Sequence, residues 1–174
     1  MKKTIFFFIL ISNLLFGQNS SEFEFNSNNQ MNDFIVVEIP KQNKNQIYNK
    51  TIDWIKKNYD DPESVLITKI NDEYLRFKGY KYSNIKYDTG IFIHNADIIY
   101  EFSIDFKDFK YKVTIEKLIM VDSEDNSKYK MILPLKEKYT DQGVNVNAEF
   151  LPFTLNEILN SLKEYILNEK TNDW

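Results

Sequence analysis

His94 is the single histidine of the chain, set in Ile93-His94-Asn95-Ala96-Asp97, and acid–base or nucleophilic chemistry would centre on it. A serine–histidine–aspartate relay would use it as the base, with Asp97 orienting the ring. No nucleophile elbow or glycine-rich oxyanion turn accompanies it, so it reads as a loop or strand-end histidine. Ser83-Asn84-Ile85-Lys86 matches S-x-x-K, but so short a pattern arises by chance and its companion motifs are missing. Asp122, Glu124, Asp125 and Asn126 carry the hard oxygens that calcium takes. They lack the alternate spacing, central glycine and distal glutamate of a dedicated loop, and read as a polar turn. There is no cysteine, which excludes disulfides, thiolate metal sites and cysteine nucleophiles together. Four glycines and one histidine exclude glycine-rich nucleotide cradles and histidine-rich metal sites. The residues predict no catalytic group, no metal and no cofactor.

Carboxylates are the remaining chemistry. Glu101, Asp105 and Glu116 fall on one face of two alternating segments, and paired carboxylates can do acid–base work. Lys110, Lys112 and Thr114 interleave with them, which favours a solvated, charge-balanced face. Tyr74, Tyr80, Tyr82 and Tyr87 concentrate in and after one segment, and exposed tyrosines favour recognition.

These residues need elements to hold them. Ile98, Tyr100, Phe102 and Ile104 alternate with Ile99, Glu101, Ser103 and Asp105. Phe109, Tyr111, Val113 and Ile115 alternate with Lys110, Lys112, Thr114 and Glu116. A two-residue turn at Lys107-Asp108 sets Ile104 opposite Tyr111, Phe102 opposite Val113, Tyr100 opposite Ile115 and Asp105 opposite Lys110. One face is apolar and one polar, the mark of an antiparallel sheet covered on a single side. Val65 to Ile70 and Tyr74 to Tyr82 flank an Asn71-Asp72 turn and form a second hairpin. Phe34 to Ile39, closed by Pro40, is a further strand.

Two amphipathic helices supply the cover. Asn43 with Gln46 makes a capping box, and Ile47, Thr51, Trp54, Ile55 and Tyr59 then recur at helical spacing until Asp60-Asp61-Pro62. Thr154 and Glu157 make a second box, followed by Leu155, Ile158, Leu159, Leu162 and Ile166. From Ser123 to Phe153 the pattern gives only a polar turn at Ser123 to Lys128 and a brief pairing at Met131 to Leu135.

The chain begins with Lys2 and Lys3, an apolar run from Ile5 to Phe16, and Gly17. That is the plan of a secretory signal peptide over residues 1–17, and the run is too short for the roughly 20 residues of a membrane span. Without cysteine no lipid anchor follows, so the expectation is export to the periplasm or medium. Residues 18–32, rich in Asn, Ser and Gln, read as a flexible polar leader, and residues 33–170 as one domain. Removing the first 17 residues takes two lysines and lowers the net charge from −4 to −4 − 2 = −6. A net-acidic chain whose only arginine is Arg76 argues against a nucleic-acid partner.

Three stretches resemble a known family: Ile35-Val36-Val37-Glu38-Ile39-Pro40, the helix Ile47 to Ile55, and Asp105-Phe106-Lys107-Asp108-Phe109-Lys110-Tyr111. They are similar to an uncharacterised family of secreted Gram-negative bacterial domains with a fold like that of the TATA-box-binding protein, over roughly residues 33 to 120. Related sequences would carry glycine where this one has Phe109, and residues 84–96 are longer than usual for the family. The resemblance implies an α+β, TBP-like fold: a curved antiparallel sheet of about five strands with two helices on its convex face, in the order β-α-β-β-β-β-α. It implies no activity. The DNA-binding role of the namesake does not follow, because fold is not function and a DNA saddle needs basic residues and intercalating phenylalanines.

The expected function is a non-enzymatic binding module of the bacterial envelope, meeting an envelope protein or small ligand. Its candidate face is Tyr80, Tyr82, Glu101, Ser103, Lys112 and Thr114, with the loop 84–96. The alternative is a small secreted hydrolase acting on envelope polymers through Glu101, Asp105 and Glu116. Oligomeric state is left open, since a free sheet edge can pair two chains.

Overall fold

The computed structural model describes residues 20–88, 93–131, 133, 145–146 and 151–168. The expected signal peptide and the start of the leader, residues 1–19, lie outside them, as does most of the stretch from 132 to 150. The elements are β1 (Phe34–Glu38), α1 (Lys44–Asn58), α2 (Pro62–Val65), β2 (Leu66–Ile70), β3 (Tyr74–Asp88), β4 (Ile93–Lys107), β5 (Lys110–Asp122), β6 (Lys128–Lys130), β7 (Asn145–Val146) and α3 (Leu151–Leu167). The strands make one antiparallel sheet in the order β1-β5-β4-β3-β2, with β6 pairing β5 and β7 pairing β3 off that path. Seven described strands replace the expected five, because two short pairings sit in the stretch that lacks a period.

The apolar alternation places the core as expected. Leu75 and Phe77 of β3, Ile98, Tyr100, Phe102 and Ile104 of β4, and Tyr111, Val113 and Ile115 of β5 are all buried on one face. Against them α1 packs Ile47, Trp54 and Ile55, and α3 packs Leu155, Leu159, Leu162 and Ile166. Asn43 caps α1 with the full capping box, its side chain accepting from the Gln46 N–H while Gln46 Oε1 accepts from the Asn43 N–H. The helices lie side by side. Trp54 Nε1 donates to Ser161 Oγ at 3.2 Å, and Gln42 Nε2 and Lys50 Nζ both donate to the Ile166 carbonyl, at 2.8 and 2.7 Å. Those two donors satisfy a carbonyl that the end of α3 leaves without an intrahelical partner.

Five expectations change. The hairpin turn is Asp108-Phe109, so Ile104 faces Val113, Phe102 faces Ile115, Tyr100 faces Leu118 and Asp105 faces Lys112. Moving the turn by one residue moves each partner by two, and by three at Tyr100 beyond a bulge, which keeps every one of these side chains on its face; apolar pattern alone cannot separate the two registers. Neighbouring backbone decides between them. The Phe109 N–H donates to the Gln42 carbonyl, its own carbonyl accepts from the Ile39 N–H, and Asp108 Oδ1 accepts from the Lys44 N–H at the start of α1. Phe109 sits at φ 67°, the conformation for which its expected relatives carry glycine.

Residues 84–96 are not a loop over their described part. β3 runs to Asp88 and β4 starts at Ile93, still paired at Asp88↔Ile93. The C-terminal helix starts at Leu151, so Thr154 is a buried residue inside it and not its cap; Pro152 occupies the first turn, where its missing N–H is harmless. Asp61 caps a one-turn helix, α2, that had no separate signal.

The last change concerns the leader, which over residues 20–32 is packed rather than flexible. Phe23 is 1% exposed, stacked 6.2 Å from Phe102, and Met31 is buried beside it. The Phe23 N–H donates to Asn156 Oδ1 and its carbonyl accepts from Asn156 Nδ2, at 2.8 and 2.9 Å. The polar residues between close a loop on themselves: Asn26 Oδ1 accepts from the N–H groups of Asn28 and Gln30, and Asn32 bonds Glu22, Glu24 and Phe34. Composition had pointed to disorder, but two apolar anchors and asparagine-rich backbone capping suffice here.

Candidate functional site

The face of the sheet opposite the helices can be read as rows, since the register fixes which side chains adjoin. Glu38, Lys110 and Lys107 form the first row, at the β4–β5 turn. Val36, Lys112, Asp105 and Tyr74 form the second, and Phe34, Thr114, Ser103 and Arg76 the third. Lys117, Glu101 and Lys78 follow, then Ile119, Ile99 and Tyr80. All six sequence-selected residues, Tyr80, Tyr82, Glu101, Ser103, Lys112 and Thr114, belong to this one surface or its margin.

They are not equally available. Tyr82 is 80% exposed and its described ring contact is Tyr80, edge-on at 5.2 Å. Tyr80 is itself 47% exposed and donates its hydroxyl to Asp97 Oδ2 at 2.6 Å. That hydrogen bond, then partial desolvation and the Asp97 charge, push the Tyr80 hydroxyl up to about 12. Ser103, by contrast, is 3% exposed and donates Oγ to Glu116 Oε1 at 2.6 Å, so it is a framework group and not a contact point. Glu116 reaches it because it is the extra residue of a β-bulge between the Glu101↔Lys117 and Phe102↔Ile115 pairs.

The three carboxylates proposed for hydrolysis are each engaged separately. Glu101 pairs with Arg76, Asp105 with Lys112 Nζ at 3.0 Å, and Glu116 with Ser103. Arg76 was not singled out from sequence; its signal was its alternate position in β3, which needed the register to become visible. The same holds for Phe34, whose ring lies 6.0 Å from Lys112 Nζ. On the same face a groove of about 370 Å³ opens between Val36, Asp105, Lys107, Lys110, Tyr111 and Lys112.

His94 lies elsewhere, at the far end of the β3–β4 hairpin. Its expected orienting partner, Asp97, is bonded to Tyr80; Asp122 stands beside it instead, with Oδ2 3.4 Å from Nδ1. The imidazole stacks on Tyr87 at 5.0 Å, and the Tyr87 hydroxyl donates to that same Asp122 carboxylate. Asp122 Oδ1 accepts from the N–H groups of Glu124 and Asp125, at 2.6 and 2.8 Å. Burial works against its ionisation, but the Tyr87 hydroxyl, the two N–H groups and His94 outweigh it and hold the carboxyl below the usual aspartate range. Burial, followed by the hydrogen bonds to Asp122 and Tyr129, raises the Tyr87 hydroxyl. The acidic turn considered for calcium therefore directs Asp122 inward to close its own backbone. Among the described residues no group of three or more metal-ligating side chains gathers, and no helix is long and apolar enough to cross a membrane.

Comparison with known proteins agrees with this architecture. The family described as a domain of unknown function (DUF4468) with TBP-like fold matches residues 34–120. A crystal structure of a DUF4468 family protein from Bacteroides ovatus ATCC 8483 superposes with a TM-score of 0.53 at 13% identity, covering 84% of this chain and 92% of that one. A TBP-like protein from Parabacteroides distasonis ATCC 8503 gives a TM-score of 0.49 at 16% identity, covering 78% and 91%. At 13% identity the first likeness is one of fold. No curated protein matches.

Proposed function

The chain belongs to the DUF4468 family of domains of unknown function with TBP-like fold, and from its surface we propose that it is a non-enzymatic binding module. It uses the sheet face opposite the helices to hold a partner in the bacterial envelope, reached by export through residues 1–17. One observation carries this reading: the Tyr80–Tyr82 pair stands out from the sheet, with Tyr82 80% exposed. A large ring left in water forgoes the stabilisation that burial would give it, and tyrosine anchors interfaces with little loss of side-chain freedom. Among the neighbouring charges Arg76 pairs with Glu101 and Lys81 with Glu157, giving a rim of both signs that can hydrogen-bond. The hydrolase alternative draws less support, because Glu101, Asp105 and Glu116 are each held by their own partner.

The test is cross-linking of the protein in its native cells, followed by mass spectrometry, with Tyr82→Ala and Tyr80→Ala/Tyr82→Ala variants alongside. A partner captured by the native chain and lost with both variants, but kept by Lys57→Gln on the helical side, supports the proposal. Capture that is indifferent to both tyrosines overturns it.

A further inference from the structure

Lys107 and Lys110 face each other directly across the end of the β4–β5 hairpin. Like charges in directly opposed positions destabilise a strand pair. The only described ion-pair partner near them is Glu38, 3.9 Å from Lys110 Nζ and itself well exposed; Lys112 is held by Asp105, and Asp108 points back to the N–H of Lys44. Lys107 has no described ion-pair partner. The repulsion is thus built into the register and is offset only by the long, solvent-exposed contact of Lys110 with Glu38. Directly beside the two ammonium groups runs the groove of about 370 Å³, with Val36 and the Asp105–Lys112 ion pair in its wall; Phe34, two residues before Val36 on the same face of β1, is 41% exposed. Cationic and apolar surfaces so placed match a ligand that carries both kinds of group.

We infer that this groove binds an amphipathic anion: a phosphate or carboxylate group bridges Lys107 and Lys110, and its apolar body lies along Val36 toward Phe34. This rests on the open sheet face being the binding surface, and names a ligand class for its turn end. The anion replaces lysine–lysine repulsion by attraction to both, while the body covers apolar surface that water now contacts. Because the lysines are exposed, the contacts are individually weak and the binding falls as salt rises.

Amide shifts of the labelled protein, recorded on addition of octyl phosphate, test it. Octyl phosphate should shift Val36, Lys107, Lys110 and Lys112 and bind more tightly than inorganic phosphate or octyl glucoside, which each supply one half of the ligand. Lys107→Gln/Lys110→Gln should weaken it roughly fivefold, with unchanged amide dispersion elsewhere, and Lys57→Gln should leave it as it is. Added vesicles distinguish two sources of the same chemistry. Lysine-dependent binding to vesicles with anionic lipid assigns the anion to a lipid head group; binding of octyl phosphate without vesicle binding assigns it to a soluble amphiphile. Inorganic phosphate or octyl glucoside binding as well as octyl phosphate, or affinity indifferent to the two lysines, overturns the inference. Such a failure leaves tyrosine-dependent partner capture standing, whereas loss of tyrosine dependence removes the reading of the face itself.

Discussion

Gly79 is the sharpest point of contact between sequence and packing. It lies directly opposite Tyr100 on the core side of the sheet, and a Cβ placed on it would stand 2.2 Å from Tyr100 Oη and 2.3 Å from Cζ. The Tyr100 ring covers the space that a side chain would fill, and it is not free to swing away. Phe102 lies 4.9 Å from it, Phe77 meets it edge-on at 6.3 Å, and its hydroxyl shares a 2.5 Å hydrogen bond with that of Tyr59. Gly79→Ala therefore forces the ring aside, an overpacking cost of about 1–3 kcal/mol. Displacing the hydroxyl adds about 1–2 kcal/mol for the broken bond between two largely buried groups. Replacing a strand glycine returns about 0.5–1 kcal/mol of backbone entropy. The balance is a loss of about 1–4 kcal/mol, or on the order of 10 °C in Tm for a domain of this size. Urea unfolding followed by far-UV circular dichroism measures it. The decisive comparison is the same substitution in a Tyr100→Leu background, where the blocking ring is gone. There Gly79→Ala should cost nothing or stabilise, giving a coupling of about 2 kcal/mol or more. A Gly79→Ala protein within about 0.5 kcal/mol of the parent, or equal costs in both backgrounds, would refute the reasoning.

Other perturbations probe the remaining corrections. Phe109 occupies a positive φ that costs a non-glycine residue, and its ring is more than half exposed; Phe109→Gly should stabilise by up to about 1 kcal/mol and Phe109→Val should destabilise by about as much or more, both read from urea midpoints. Phe23→Ala, in the stretch expected to be flexible, should cost about 3 kcal/mol in the same assay; a change under about 0.5 kcal/mol would return residues 20–32 to the status of a leader. Asp122, held below the usual range, contributes stability that is fully present above the unfolded aspartate value of about 3.9 and is lost as pH falls through its folded value. Asp122→Asn should therefore be less stable at neutral pH and lose less on acidification, seen as a flatter acid limb of midpoint against pH. Tyr80 is raised, so its stabilising bond is complete below the ordinary tyrosine value of about 10 and is lost as pH rises through about 12. Asp97→Asn should bring the Tyr80 titration down, followed by the carbon shift of its phenol ring.

What was legible in the sequence was whatever repeats with a period. The alternation from Ile98 to Ile104 and from Tyr111 to Ile115 gave the covered face, and the spacing of Ile47, Trp54 and Ile55 gave the helix that covers it; all are buried. Register was less legible, because a turn at Lys107-Asp108 and one at Asp108-Phe109 bury the same side chains. The choice lies in hydrogen bonds from Ile39 and to Gln42, some 70 residues away along the chain, which no local pattern reports. Phe23 and Met31 were missed for a related reason: two anchors without a period in a polar stretch look like disorder. The candidate face was recovered as a set, yet the role of each member was not. Ser103 and Thr114 are indistinguishable by alternation, and only the bulge at Glu116 explains why Ser103 is buried under a carboxylate.

The β4–β5 turn shows why register matters for function as well as for stability. On one side of the hairpin end, Asp108 and Phe109 grip the connection between β1 and α1. On the other, the same pairing sets Lys107 against Lys110 and Lys112 against Asp105. With the turn one residue earlier, Lys110 would have faced Asp105, an opposite-charge pair needing no further anion. The contacts to α1 thus hold the strands in the register that leaves two ammonium groups facing each other. The two effects separate experimentally: Phe109→Gly acts on the turn and should change stability while leaving the lysine pair intact, whereas Lys107→Gln/Lys110→Gln should change the anion response with little loss of stability. If Phe109→Gly abolished the anion response while the fold stayed intact, the register would not be what holds the two lysines in place.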